Sequence, residues 1–349
     1  MLQDINSISS SLSHTMINKA MRGEGNGLNK LLLEWALDVM FLYLYGTCPK
    51  TSQEKQEIIA AVDMFTGEVS RRTNEPMWMW YLSWNRIKEW TTGFASLLSL
   101  ANRYYEDPNT PLPKYMKAHG LKKWEAMDEL TTFLGASFES TAHTVAQCLV
   151  MLSKDRQCQE KAAEEARNIM KVAGDGPILK EHIDKCIYLK HCIYEALRLH
   201  ATIPFSARKM KSNYSVQTRY KTVDIPGKSY LVYFKTAVGL NEEIFKDAAS
   251  FQPDRYDEDQ SRATKHSTFL PFGTGPRQCW GQIIAELQMI QVLVHLLARL
   301  EFFSEKDKIE RTVAAVSVAA PGVDAVKYFP RDTLDCNSCK PYPYIRLRH

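Results

Sequence analysis

The sequence predicts a mainly helical protein with small β-sheets, an α+β fold. Two observations carry this. Apolar residues recur at helical spacing through most of the first 200 positions, in segments parted by short turn signals. Strand-like texture, short runs of β-branched and aromatic residues, is confined to Phe205–Phe234 and the tail. The chain has 349 residues, of which 45% are hydrophobic and 24% charged. That is ordinary for two domains or one large one with a sizeable core, and excludes a disordered, collagen-like or disulfide-dense chain.

In chain order, LLLEWALDVMFLYLYG (31–46) reads as a mostly buried helix stopped by Gly46, with Glu34 and Asp38 four apart on one face. An amphipathic helix follows over 56–72 and breaks before Pro76. Trp78, Trp80, Tyr81 and Trp84 then cluster, either as a loop folding into the core or as a pocket lid or membrane-touching surface. A helix over 86–105 ends at EDPNTPLP, the most linker-like stretch of the chain. Helical pattern resumes at Trp124 and runs long, through Asp155, then again over 157–172 and 183–200. SYLVYF (229–234) is a strand candidate, and the apolar run after Gly281 a buried helix.

Charge and cysteine usage exclude further classes. The 44 basic and 40 acidic residues leave a net +4, too little for a nucleic-acid partner. Eight irregularly spaced cysteines argue against a secreted disulfide framework. No apolar run is long enough to cross a bilayer, and the first 27 residues lack the apolar stretch of a secretory signal. Cys336 and Cys339 form a C-x-x-C without the second pair a zinc ribbon needs. His182, Cys186, His191 and Cys192 lie near one another in sequence, and the last two are expected in the core.

The strongest local feature is PFGTGPRQCWG (271–281). It lacks the third glycine of a dinucleotide fingerprint and the Gly-Lys-Ser/Thr of a phosphate loop. What it offers is a cysteine at the start of a long apolar helix, where the helix N-terminus favours a thiolate. Gly273 and Gly275 allow a tight turn, and Arg277 places a cation suited to an anionic ligand group.

Phe272, Gly275, Arg277, Cys279 and Gly281 fill every fixed place of a Phe-x-x-Gly-x-Arg-x-Cys-x-Gly pattern, and the segment resembles the haem-binding signature of the cytochrome P-450 family. Two further motifs follow the family's order. Glu195 and Arg198 form a Glu-x-x-Arg pair, and Phe251-x-Pro253-x-Arg255 supplies the arginine expected to join them in a buried structural clamp. GASFESTAHT, from Gly135, resembles the family's distal oxygen-binding helix through Ala136, Glu139 and Thr141, with Ser137 for a glycine and Ser140 for a threonine. Arg208 resembles the arginine that pairs with a haem propionate.

The resemblance implies a cytochrome P-450 fold lacking its N-terminal sheet and first helices: one haem domain over 28–335, incomplete at its N-terminus, with 1–27 and 336–349 as flanks. It implies haem b with Cys279 as axial thiolate, Phe272, Gly275, Arg277, Gly281 and Arg208 around the cofactor, and Glu139, Ser140 and Thr141 as the proton-delivering group. The implied activity is insertion of one atom of O2 into an apolar lipid, sterol or secondary-metabolite-like substrate. Electrons would come from an NADPH-dependent flavoprotein reductase or a ferredoxin-type protein docking on the Cys279 side, where Arg277 and neighbouring lysines meet acidic groups. The alternatives are a truncated non-catalytic remnant, or a haem-thiolate enzyme that rearranges peroxides without a donor. An intact eukaryotic form would sit on the cytosolic face of the endoplasmic reticulum, and this chain, without an anchor, would be cytoplasmic or peripheral.

Overall fold

A computed structural model describes residues 2–25, 27–76, 79, 84–218, 220–257, 269–304, 323 and 326–331. Trp78, Trp80, Tyr81, Cys336, Cys339 and the expected domain end at 335 lie outside them; Trp84 is exposed.

The fold is a helical body with small antiparallel sheets. Its helices are α1 (Leu2–Met21), α2 (Leu28–Tyr45), α3 (Ser52–Asn74), α4 (Trp84–Glu106), α5 (Pro111–Ala118), α6 (Lys123–Ala136), α7 (Glu139–Lys154), α8 (Arg156–Ala173), α9 (Lys180–Ile183), α10 (Ile187–Leu199), α11 (Lys235–Gly239) and α12 (Gln282–Leu297). The strands pair β1 (Phe205–Lys209) with β4 (Tyr230–Phe234), β2 (Tyr214–Gln217) with β3 (Thr222–Ile225), and β5 (Leu300–Ser304) with β6 (Val326–Pro330). At the centre runs α7, whose residues 141–152 are all buried, against α2, α8, α10, α12 and β5.

Two elements differ from the sequence reading. Helix α1 occupies most of the expected N-terminal flank, and belongs to the packed body because Ile5, Ser9, Leu12, Ser13, Met16 and Ala20 make one buried face on α2, α12 and β6. Its polar ties are equally specific. The Trp35 indole N–H donates to Ser9 Oγ (3.0 Å), and Asn6 Oδ1 accepts from the Ile178 N–H (3.1 Å). The expected linker at 106–113 is a tight turn into α5 instead. Thr110 precedes that helix and bonds the Tyr104 carbonyl (2.6 Å), and Pro111 starts it, where a missing N–H costs nothing.

The expected Glu195–Arg198–Arg255 cluster is formed. Glu195 and Arg198 are fully buried on α10. The Arg198 fork meets the carboxylate twice, at 2.8 Å each, and Arg255 Nε and the Gln252 N–H add bonds of 2.9 Å. The remaining Arg198 donors reach the carbonyls of Gly239, Ala248 (2.6 Å) and Ser250 (3.0 Å). One arginine thereby fixes α10, α11 and the 248–252 chain together.

Gly239 is where these elements approach most closely. A Cβ built there would run into the Arg198 carbonyl oxygen, well inside contact distance. Gly239→Ala is expected to cost about 1–3 kcal/mol by forcing α11 off α10, read as a lower urea midpoint at unchanged slope. A midpoint equal to that of the parent chain would show that α11 sits elsewhere.

Candidate functional site

The loop carrying Cys279 is built on two glycines with left-handed backbone, Gly273 (φ 74°) and Gly275 (φ 70°), conformations a Cβ disfavours. The turn closes where the Cys279 N–H donates to the Phe272 carbonyl (2.8 Å). A short 3-10 turn, Gly275–Arg277, leads into the cysteine, and α12 begins three residues after it. Phe272 is half-buried against the core, Gly281 is half-buried beside the sulfur, and Arg277 and Cys279 are exposed. Next to them Trp280 (90% exposed) and Ile283 (74%) present bare apolar surface.

Two cations stand at the same place. Arg208 is exposed on β1. Lys235, which begins α11, donates from Nζ to the Pro271 carbonyl (3.1 Å). Partial burial draws the Lys235 amine below its ordinary range, against the pull of Cys279, and the Arg208 charge lowers it further. Lys235 is not visible as a site residue in the sequence. Its bond gives the clamp a mechanical route to the loop, from Arg198 through Gly239 in α11 and Lys235 to Pro271.

The long helical pattern from Trp124 is divided where the resemblance implies a bend. Helix α6 ends at Ala136, α7 begins at Glu139, and the two residues between form a bend. The cause is a run of hydroxyls that bond back to carbonyls four residues earlier: Ser137 to Phe133 (2.5 Å), Ser140 to Ala136 (2.9 Å), Thr141 to Ser137 (3.2 Å) and Thr144 to Ser140 (2.8 Å). Such bonds compete with the helical ladder and open it.

The three expected proton-delivering residues are not one group. Ser140 is half-buried at the bend, while Thr141 turns into the core, where it accepts from Gln288 Nε2 on α12 (3.3 Å). Glu139 is buried, and the charge that acts on its carboxyl is Asp63 of α3, a residue the sequence does not single out. Burial pushes the Glu139 carboxyl up to about 7, with Asp63 adding to the rise.

Beside the bend, between α3, α4 and α6, lies a groove of about 360 Å³ lined by Phe65, Val69, Phe94, Thr131, Gly135 and Ala136 among others. Its surface is mainly apolar, the character that retains a hydrophobic ligand.

Cys279, an exposed thiol, could serve as the single protein ligand of a metal held otherwise by a macrocycle. Among the described residues no three His, Cys, Asp or Glu side chains come together to hold an ion. His191, Cys186 and Cys192 are buried in the core, as the positions of His191 and Cys192 beside Glu195 lead one to expect. A single accessible thiol can ligate iron only when the other positions are filled by the cofactor itself, and arginines nearby suit its carboxylates. The residues present therefore fit haem.

Among curated proteins the chain resembles the mitochondrial 1,25-dihydroxyvitamin D(3) 24-hydroxylase of Mus musculus, 26% identical over 300 residues, 80% of this chain and 56% of that enzyme. It also resembles cytochrome P450 6a2 of Drosophila melanogaster (27% over 180 residues, 52% of this chain, 35% of the relative). A third relative, (1S)-1-hydroxy-luvungin A synthase of Citrus sinensis, is 31% identical over 173 residues, 49% of this chain and 34% of its own length. The chain thus spans about half the length of the first of these and about a third of the others. The family model described as Cytochrome P450 matches residues 5–323, from within α1 to beyond the cysteine loop. With the cysteine loop, the buried Glu–Arg–Arg cluster and the bend between α6 and α7 all inside that span, the chain belongs to the cytochrome P450 family.

Proposed function

We propose that this chain carries the haem-thiolate site of a monooxygenase that inserts one atom of O2 into an apolar organic substrate. The observation that carries the reading is Cys279, the one exposed cysteine among the described residues, on a glycine-shaped loop at the start of α12 with Arg208, Lys235 and Arg277 about it. Bound haem would supply the oxygen activation, its iron held by the Cys279 sulfur.

The chain's own residues have distinct tasks. Arg208 and Arg277 offer charge-assisted bonds to the cofactor's carboxylates. Gly281 lies beside the sulfur at the start of α12. Glu139, with a carboxyl that titrates near neutrality, holds a proton at the bend in the distal helix and can release it there. The Ser140 hydroxyl must leave the Ala136 carbonyl to pass that proton on, a local change open to a half-buried rotor. The groove beside Ala136 offers the substrate a mainly apolar surface.

Among the described residues no helix is long and apolar enough to cross a membrane. The endoplasmic reticulum placement is part of this proposal, and it goes with a flavoprotein reductase as electron donor. The mouse relative is mitochondrial by name, and that placement would go with a ferredoxin-type donor.

The test is to express the chain with a haem precursor, reduce it, add CO and record the spectrum. A strongly red-shifted Soret band is expected, lost in Cys279→Ser. No haem band would reduce the chain to a non-catalytic remnant. NADPH-linked turnover with each donor class then separates the two. Turnover of an organic hydroperoxide without any donor, and none with one, would replace the monooxygenase reading by rearrangement.

A further inference from the structure

We propose that Lys235 is the positioning residue of the cysteine loop: its ammonium holds the loop in its closed turn before any cofactor arrives, and so sets how firmly the chain keeps haem. The purpose rests on the monooxygenase reading, while the tie itself stands on the fold alone.

The loop has little apolar packing to hold it. Residues 274–280 are exposed without interruption, and Phe272 is the side chain of the turn that packs against the core. Surface segments with so few buried contacts open at small cost. The backbone bonds that shape the turn begin and end close by: the Gly273 N–H donates to the Leu270 carbonyl (3.1 Å), the Gln278 N–H to the Gly275 carbonyl (3.0 Å) and the Cys279 N–H to the Phe272 carbonyl (2.8 Å). The Gln278 side chain reaches forward to Gln282 at the start of α12 (2.8 Å). These contacts set the shape of the turn, but not its seat on the rest of the molecule.

Lys235 supplies that seat. Its Nζ donates to the Pro271 carbonyl (3.1 Å), one residue before the carbonyl that receives the Cys279 N–H. The anchor behind it is firm. The Lys235 N–H donates to the Pro204 carbonyl (2.8 Å) at the entrance to β1, and at the other end of α11 the Gly239 carbonyl is held by the buried Arg198. Half-burial of the lysine already restricts its rotamers, which lowers the entropy that the bond must overcome. A loop held closed gives up little freedom when a cofactor binds. One that must first close binds more weakly, in proportion to the fraction of time it is closed.

Hydrogen exchange of the full haem-free chain, read by mass spectrometry on peptides covering 270–281 and 286–297, tests the tie. Lys235→Met keeps the length of the stem and removes the donor. Exchange at 270–281 should then rise about tenfold, the scale of one charge-assisted bond, with 286–297 unchanged. Lys235→Arg, which can still donate to the carbonyl, should restore the protection. Haem titration reads the consequence: the dissociation constant should rise by a similar factor in Lys235→Met and return in Lys235→Arg. Unchanged exchange at 270–281 in Lys235→Met overturns the proposal. Equal losses in the two variants overturn it too, since the stem's packing would then matter rather than the bond. So does faster exchange with unaltered haem affinity, or a rise that spreads to 286–297 and places Lys235 in the global fold. The exchange is read without haem, so a chain that shows no CO band sinks the monooxygenase reading and still decides the tie.

Discussion

Replacing Glu195 by alanine is expected to destabilise the chain by about 3–5 kcal/mol, because it strips the partner from a cation that cannot reach water. Arg198 is fully buried, and its guanidinium meets the Glu195 carboxylate through two parallel bonds. Without the carboxylate, three carbonyls remain as acceptors, but carbonyl dipoles do not neutralise a full charge. Urea unfolding measures the loss. Arg255→Ala supplies the contrast. Its side chain keeps 13% of its surface open, and its removal leaves Glu195 still paired with Arg198. That variant should lose about 1–2 kcal/mol, the scale of one charge-assisted bond. Equal losses from the two would mean that burial at Glu195 does not set the cost.

The same cluster bears on the cysteine loop. Arg198 holds Gly239, at the far end of α11, and Lys235 at the near end bonds the Pro271 carbonyl. The loop that presents Cys279 thus hangs from α11, and α11 from the clamp. Loosening Glu195 should broaden the environment of Cys279 even where the chain still folds.

Much of this is legible in the sequence, and for identifiable reasons. Strong apolar periodicity marks α2, α8 and α12, and the residues around Cys279 form a pattern too specific to arise from packing alone. Helix α1 escapes a hydropathy reading because half of its buried face is serine and alanine. Helix α5 escapes it because proline reads as a breaker unless it stands at the first helical position. The bend at 137–138 leaves the apolar period of α6 and α7 intact. It arises from side-chain hydroxyls bonding backwards, a local competition that a period count does not detect. The apolar period likewise runs across 183–187, where α9 ends at Ile183 and a tight turn precedes α10. Asp63 lies beyond any local reading, since its partner Glu139 is on another helix and only tertiary packing unites them.

The second large effect is acid destabilisation through His295. On α12 its ring lies buried between two fixed partners. Asn6 Oδ1 already accepts from the Ile178 N–H, so the His295 Nε2 must be the donor across their 2.8 Å contact. The other ring nitrogen, Nδ1, accepts from Arg299 Nη1 at 2.9 Å. A second proton has no place: it would replace the acceptor with a donor and set one cation against another. Burial, with Arg299 and His14 adding to it, draws the group down to about 3. Because the folded value lies below the unfolded one, the stabilisation is complete above about pH 6.5. It is lost as the pH falls from there toward 3, where only the unfolded chain takes up the proton. At pH 4 the loss from this one ring is about 3 kcal/mol. Buried Glu139, raised to about 7, works in the opposite sense, its contribution fading as the pH rises from 4.5. The two are separated by substitution. In His295→Gln the amide can donate to Asn6 and accept from Arg299 without titrating. Its stability relative to the parent chain should therefore improve by about 3 kcal/mol between pH 7 and pH 4. Parallel stability curves for parent and variant over that range would mean that His295 is protonated in the folded chain, and that the Asn6–His295–Arg299 tie holding α1 to α12 is arranged differently.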